Sequence, residues 1–203
     1  MPTDVSRGST RDRILDAAAD VMSRLGLART TTKEIARAAG CSEALLYKHF
    51  RDKEEIFLGV LKERLPHLTA TLADLPARAG TGSVRDLLVE VVELAVRFYQ
   101  GGLAIGSSML GDPVLVRRQQ EWLLSRGTGP HKANEMLADY LRAEQAAGRV
   151  AAGADPDAAA ALLLGACYQR AFLVRLVGEE APRPPAAEFA QGVVNTVLRG
   201  LTP

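Results

Sequence analysis

Residues 31–50 constrain the fold more than any other stretch of the chain. Thr31-Thr-Lys-Glu opens a helix with a capping box, in which Thr31 and Glu34 each satisfy the other's end amide. That helix runs only to about Ala39 and stops at Gly40, and Ser42 then caps another short one, to about Phe50. Gly40 is free to take positive φ for a sharp turn, and Cys41 is a small apolar plug beneath it. Ile35 and Ala36 on the earlier helix, with Leu46 and Phe50 four apart on the later one, supply inward faces. A tight turn with small packed residues is what two helices crossing at ~90–120° require, so the spacing predicts a helix-turn-helix. In such a unit the second helix enters the major groove of DNA by its N-terminus.

The outward face of that second helix then carries the chemistry. Glu43 and Tyr47 are four apart, as are Ala44 and Lys48, and they form one exposed face beside His49. Tyr47 and Lys48 are suited to phosphate oxygens, and His49 to one more hydrogen bond. Thr31 and Thr32, followed by Lys33, stand at the start of the preceding helix, where the dipole favours a phosphate. Lys53, at the head of the next helix, is placed similarly. With Ser42 and Leu45 these residues make up the candidate DNA-contact set, whereas Arg29, Arg37 and Arg51 read as solvated.

A formal net charge of +1, from 25 basic and 24 acidic side chains in 203 residues, at first argues against a nucleic-acid partner. Counted by segment it does not. Residues 26–53 carry six basic and three acidic side chains, +3, and residues 66–203 carry 13 and 14, −1. The basic charge is local, the footprint of a modest DNA contact. Cys41 and Cys167 are too far apart in sequence for a disulfide framework or a zinc cluster, which fits a reducing compartment. The longest uncharged apolar run, Ala158–Tyr168, is 11 residues, about half of the ~20 needed to span a bilayer. The first ten residues contain no hydrophobic region of a signal peptide. A cytoplasmic protein without membrane attachment is expected.

Elsewhere the apolar spacing is helical and no convincing strand alternation occurs, so the fold class is all-α. Residues 1–9 read as a flexible tail. Thr10 caps a first helix with Ile14, Ala18, Val21, Met22 and Leu25 on one face, stopped by Gly26. Asp52 starts a fourth helix carrying Ile56, Phe57, Val60, Leu61 and Leu65. The expected division is a helix-turn-helix domain over 10–53 and a larger helical domain over 54–203, led by a linking helix, 54–65. Leu75–Gly82 reads as a break between halves. Further helices are expected at Ser83 to about Gln100, from Asp112-Pro113, from Pro130, from Asp155-Pro156 to about Val177, and after Pro184-Pro185. Residues 101–111 remain unassigned.

The N-terminal stretch resembles the DNA-binding domain of the tetracycline-repressor (TetR) family of bacterial transcriptional regulators. The matching residues are Thr31, Thr32, Ile35, Ala36, Ala39, Gly40, Ser42, Leu46, Tyr47, His49, Phe50 and Lys53, within about 50 residues from Ile14 to Leu61. Two positions depart from the family's common run. Glu43, where a basic or neutral residue is frequent, either accepts from cytosine N4 or repels phosphate. Leu45, where a small polar residue is frequent, either touches a thymine methyl or packs. The remainder resembles the family only in length, helical character and its late Asp-Pro-led helix.

The resemblance implies a sensor with a mostly apolar pocket in the C-terminal half, and a small apolar or amphipathic effector. Phe98, Met109, Trp122, Met136, Tyr140 and Tyr168 are the candidate lining residues, although aromatics at helical spacing are more often plain core. It also implies that the effector changes the separation of two DNA-binding heads, with the fourth helix as lever. The run from Ala158 to Tyr168 is apolar all round a helix and needs covering on every side. A core explains one face and a second copy of the chain the rest, in a four-helix bundle using Leu162, Ala166, Phe172, Phe189, Val193 and Val197. His49, His67 and His131 lie in no metal-ligand spacing, and no phosphate loop or nucleophile motif is present, so no cofactor, metal site or enzymatic activity is expected. The reading is a homodimeric, ligand-responsive regulator bound to a palindromic double-stranded operator, a repressor in the first instance. An activator, a ligand-blind DNA-binding protein of the same fold, or an all-α enzyme are the alternatives.

Overall fold

Among the residues described by the computed structural model, 9–64, 68–125, 127 and 129–200, every regular element is helical. The chain divides into two compact units. The first contains α1 (Thr10–Leu25), α2 (Thr32–Ala38), α3 (Glu43–His49) and α4 (Lys53–Glu63). It also takes residues 104–121, which are the end of α6 (Val84–Gly106), a 3-10 turn at Ser107–Gly111 and most of α7 (Pro113–Ser125). The second unit holds α5 (Leu68–Ala73), a 3-10 turn at Leu75–Arg78, the rest of α6, α8 (Pro130–Ala146), α9 (Pro156–Val177) and α10 (Ala186–Arg199). Of the expected tail at 1–9, residues 1–8 lie outside the described residues, as do Leu65 and His67, and Ser9 belongs to the start of α1.

The cap of α1 is Ser9 rather than Thr10. Ser9 Oγ accepts from the Asp12 N–H at 3.1 Å, and the Asp12 carboxylate accepts from the Ser9 N–H at 3.2 Å. The residue three after Thr10 is Arg13, which has no acceptor to complete a box. Ile14, Leu15, Ala18, Val21 and Met22 are buried on the inner face of α1. Leu25, on that face by spacing, is exposed where the helix ends.

Helix α4, which the sequence assigned to the larger domain as a linker, packs against α1 within the first unit. Gly59 permits the approach: a Cβ there would stand 2.8 Å from Leu15 Cδ2. At the far end Arg11 grips Glu63 in two hydrogen bonds of 2.6 and 2.8 Å, and Arg64 reaches Asp12 at 2.8 Å and Asp16 at 2.6 Å.

In the second unit, α8 packs on α9, α10 on α9, and α5 on α8, around Leu72, Leu88, Val92, Leu137, Leu141 and Leu163. The sequence had placed no helix at α5. The Leu75–Gly82 break folds into a 3-10 turn followed by Gly80 and Gly82, both at positive φ. Helix α6 runs through Gly101-Gly102, where the sequence had ended it. Each glycine costs roughly 1 kcal/mol of helix propensity, and the buried Ile105 shows packing prevailing.

Glu144 on α8 is fully buried. Arg149 donates to its Oε2 at 2.6 Å and to its Oε1 at 2.5 Å, and the Gly80 N–H adds a bond of 3.3 Å. Burial pushes the Glu144 carboxyl up, but Arg149, the neighbouring Tyr140 hydroxyl and the Gly80 N–H together outweigh it and hold it below the usual carboxylate range. By length and composition alone α9 is long and apolar enough to cross a membrane, yet its inner face, Ala159, Ala160, Leu163, Leu164, Cys167 and Ala171, is built into this core.

Candidate nucleic-acid interface

The turn between α2 and α3 is a Schellman motif. The Gly40 N–H donates to Arg37 O at 3.2 Å and the Cys41 N–H to Ala36 O at 3.0 Å, with Gly40 at φ +64. An added Cβ at Gly40 would meet nothing within 4 Å, so glycine is required by the backbone and not by space. The capping box at Thr31 is formed: Thr31 Oγ1 accepts from the Glu34 N–H, and the Thr31 N–H donates to Glu34 Oε2 at 2.9 Å. The Thr31 hydroxyl also donates to that carboxylate, which holds Glu34 below the usual range. Ser42 caps α3 by accepting from the Leu45 N–H at 3.1 Å, and Asp52 caps α4 through the Glu55 N–H at 2.7 Å.

These caps fix which faces turn inward. Ile35, Ala36, Leu46 and Phe50 are buried as their spacing predicts, and Arg11 lies over the Phe50 ring at 5.3 Å. Of the candidate DNA-contact residues, Thr31, Lys33, Ser42, Ala44, Tyr47, Lys48 and His49 are exposed, and Thr32, Glu43, Leu45 and Lys53 are half-buried. Tyr47 has 51% of its surface open.

Four of these residues, Thr32, Glu43, Tyr47 and Lys53, are already engaged with other parts of the chain. Lys53 Nζ donates to the Leu27 carbonyl at 3.0 Å, tying the start of α4 to the turn after α1. Glu43 Oε1 accepts from the Thr32 hydroxyl at 2.5 Å, and the Tyr47 hydroxyl lies 3.2 Å from the same Thr32 oxygen. Because the single Thr32 proton is directed at Glu43, Tyr47 is the donor in the second bond. Arg118 is a residue sequence reasoning missed. Its guanidinium on α7 lies 3.4 Å from Asp52 Oδ2 and 3.7 Å from Glu54 Oε2, at the first turn of α4. No local pattern could have found it, since the contact joins positions 66 apart.

Of the six candidate pocket residues, Met109 belongs to the first unit and the other five to the second. Tyr140 is fully buried in the core, and burial raises its hydroxyl pKa. Phe98 and Met136 are half-buried against the same core, and Trp122 is half-buried. Phe98 meets Tyr99 edge-on at 5.3 Å, and Tyr99 meets Tyr168 at 5.6 Å. Tyr99 was not singled out, and burial pushes its hydroxyl up to about 12.

Of the candidate dimer residues, Leu162 is 64% exposed and Phe172 46%. Ala166, Phe189, Val193 and Val197 are half-buried, the last three against their own unit's core. Leu173, Leu176 and Val177 extend the exposed α9 stripe and were not singled out. The helical recurrence that marked Leu162 continues through them.

A family model for bacterial regulatory proteins of the tetR family matches residues 14–60. A second, described as AefR-like transcriptional repressor, C-terminal domain, matches residues 123–200. The uncharacterized HTH-type transcriptional regulator Mb2274c of Mycobacterium bovis is 31% identical over 148 residues, 72% of each chain. The nucleoid occlusion factor SlmA of Aliivibrio fischeri is 45% identical over 53 residues, so the match spans 26% of this chain and about a quarter, 27%, of that relative's length. Among solved structures, a tetR-family regulator from Mesorhizobium loti superposes with a TM-score of 0.76 at 18% identity over 100% of both chains. FadR from Bacillus subtilis, in complex with stearoyl-CoA, gives 0.70 at 17% identity, over 93% of this chain and 98% of that one.

Proposed function

The chain belongs to the tetR family of bacterial regulatory proteins and is a DNA-binding transcriptional regulator, and from that premise we propose a cytoplasmic homodimeric repressor released from a palindromic operator by a small apolar or amphipathic molecule. The observation that carries the DNA half of this reading is the exposed face of α2 and α3, where Thr31, Lys33, Ala44, Tyr47, Lys48 and His49 stand clear above a buried Ile35, Leu46 and Phe50. In a dimer two such faces enter successive major grooves about 34–36 Å apart. Occupancy of the operator then excludes the transcription machinery.

The second copy is supported by the α9 stripe of Leu162, Phe172, Leu173 and Leu176, an apolar row too long to be left in water. Repression is favoured by the repressor domain matched over residues 123–200. An apolar effector is favoured by the aromatic group of Phe98, Tyr99 and Tyr168 in the second unit, and the similarly folded FadR is a complex with an acyl-CoA. The effector must bind the conformation that does not hold DNA more tightly, because equal affinity for both shifts nothing.

The test is selection of bound duplexes from a random pool, followed by a screen for compounds that release them. A palindromic consensus bound by two chains, lost on adding an acyl or aromatic compound, is the expected result. Selection of a non-palindromic site bound by one chain overturns the dimer reading.

A further inference from the structure

We infer that Glu43 is a positioning residue for operator discrimination, the fixed end of a hydrogen-bonded chain that sets α3 against α2, and not a reader of bases. The inference rests on the DNA-binding reading above and deepens it. Tyr47 donates to Thr32 across 3.2 Å, and Thr32 donates to Glu43 Oε1 across 2.5 Å. Glu43 and Tyr47 stand four apart on α3, so both reach one hydroxyl at the first residue of α2. The acceptor at the end is charged and half-buried, the condition in which such a chain is strongest.

Three consequences follow from the proton count. Thr32 has one proton and directs it at Glu43, so this hydroxyl is not a free donor to phosphate. Tyr47 is held with its ring exposed and its oxygen anchored, a side chain laid in place before DNA arrives. A carboxylate with one oxygen committed to α2 is restrained from turning to a cytosine N4, while its charge still opposes close approach of any phosphate backbone. Glu43 therefore weakens binding to all DNA and sharpens the choice among sequences, because α3 is held at one tilt. Discrimination is a difference of affinities, so the repulsion, equal for every sequence, cancels from it, and the fixed geometry of α3 is what sharpens the choice.

The experiment uses the full chain, the duplex selected above and a scrambled duplex of equal length. Glu43→Gln keeps an acceptor for Thr32 and removes the charge. It is expected to bind both duplexes severalfold more tightly with the same preference at every base pair. Glu43→Ala removes the acceptor, and its operator-to-scrambled ratio is expected to fall about tenfold, the size of one charge-assisted hydrogen bond. Thr32→Val cuts the same chain from the other side, so it should give the same loss, with no further loss in the double variant. It also keeps the test available if the alanine variant fails to fold. An altered preference of Glu43→Gln at one base pair makes Glu43 a base reader and overturns the inference, as does an unchanged ratio in Glu43→Ala or Thr32→Val. A wild-type chain that binds both duplexes equally overturns the parent reading and this one with it. Discrimination by the wild type and the alanine variant alike overturns this one alone.

Discussion

Gly40 shows how much one residue decides in a unit this small. Its φ of +64 closes the turn between α2 and α3 and meets no steric obstacle, so replacement by alanine adds only the backbone term. Gly40→Ala should lower the unfolding free energy by ~1–2 kcal/mol, read by urea denaturation, with the free cost far below that of a core truncation. The two thiols differ just as sharply. Cys167 is buried and its pKa is pushed up to about 12, whereas Cys41 is half-buried beside the turn. A thiol reagent at pH 8 should therefore label one cysteine per native chain quickly, identified by peptide mapping as Cys41, and the second only on unfolding. Fast labelling of Cys167 in the native state would contradict the packing around α9. Most of this level was legible in the sequence. The Thr31–Glu34 box, the Ser42 and Asp52 caps and the Gly40 turn are local chemistry within a few residues. Lys53, Glu43 and Arg118 were not, because their partners lie 26, 11 and 66 positions away.

At the scale of elements, the junction of α1 with α4 is closely packed. A methyl group at Gly59 would press on Leu15, which is itself completely buried and has nowhere to retreat. Gly59→Ala should cost about 1–3 kcal/mol by overpacking, despite alanine's better helix propensity. A thermal melt checks this, and a gain in stability would show that α4 is free to shift outward. The same junction explains why local pattern does not reveal α1 as the partner of α4. Its apolar face, Ile56, Phe57 and Val60, is a plain amphipathic pattern that names a buried side without naming what covers it. Helix α5 was missed for a related reason, since six residues contain too few turns for a period to register. The α6 extension through Gly101-Gly102 was missed because propensity there points away from the helix that packing enforces.

For the whole molecule, two predictions separate assembly from stability. Leu176→Asp alters a side chain that is 67% exposed, so the fold should survive. Sedimentation should show a monomer, and operator affinity should drop by a hundredfold or more as the second head's contribution is lost. Glu144 is the buried carboxylate among those that contribute to the acid response, with Asp12, Glu34, Glu63 and Glu135 also held low. Its carboxyl is held below the reference value of 4.5, so it is charged at neutral pH and binds protons less readily than in the unfolded chain. The stability it contributes is fully present above that reference value and is lost as the pH falls through the lower, folded value. Denaturation midpoints should fall on acidification below about 4.5. Glu144→Gln should be destabilised by about 2 kcal/mol at pH 7, since Arg149 loses its paired acceptor, and should lose the share of that acid sensitivity that Glu144 contributes.

The contact from Lys53 to the Leu27 carbonyl has a consequence for how the protein behaves in a cell whose ionic strength varies. That ammonium, and the Arg51 guanidinium paired with Glu55, are spent within the head. On the outward face, Lys33 and Lys48 make no ion pair among the described residues. In the proposed dimer two such cations from each head displace few counterions, so the logarithm of affinity should fall with the logarithm of salt at a slope of only about −4. A head using every basic side chain in its sequence would be far steeper. A DNA-binding regulator built this way stays on its site across osmotic shifts that would strip a more highly charged one from DNA.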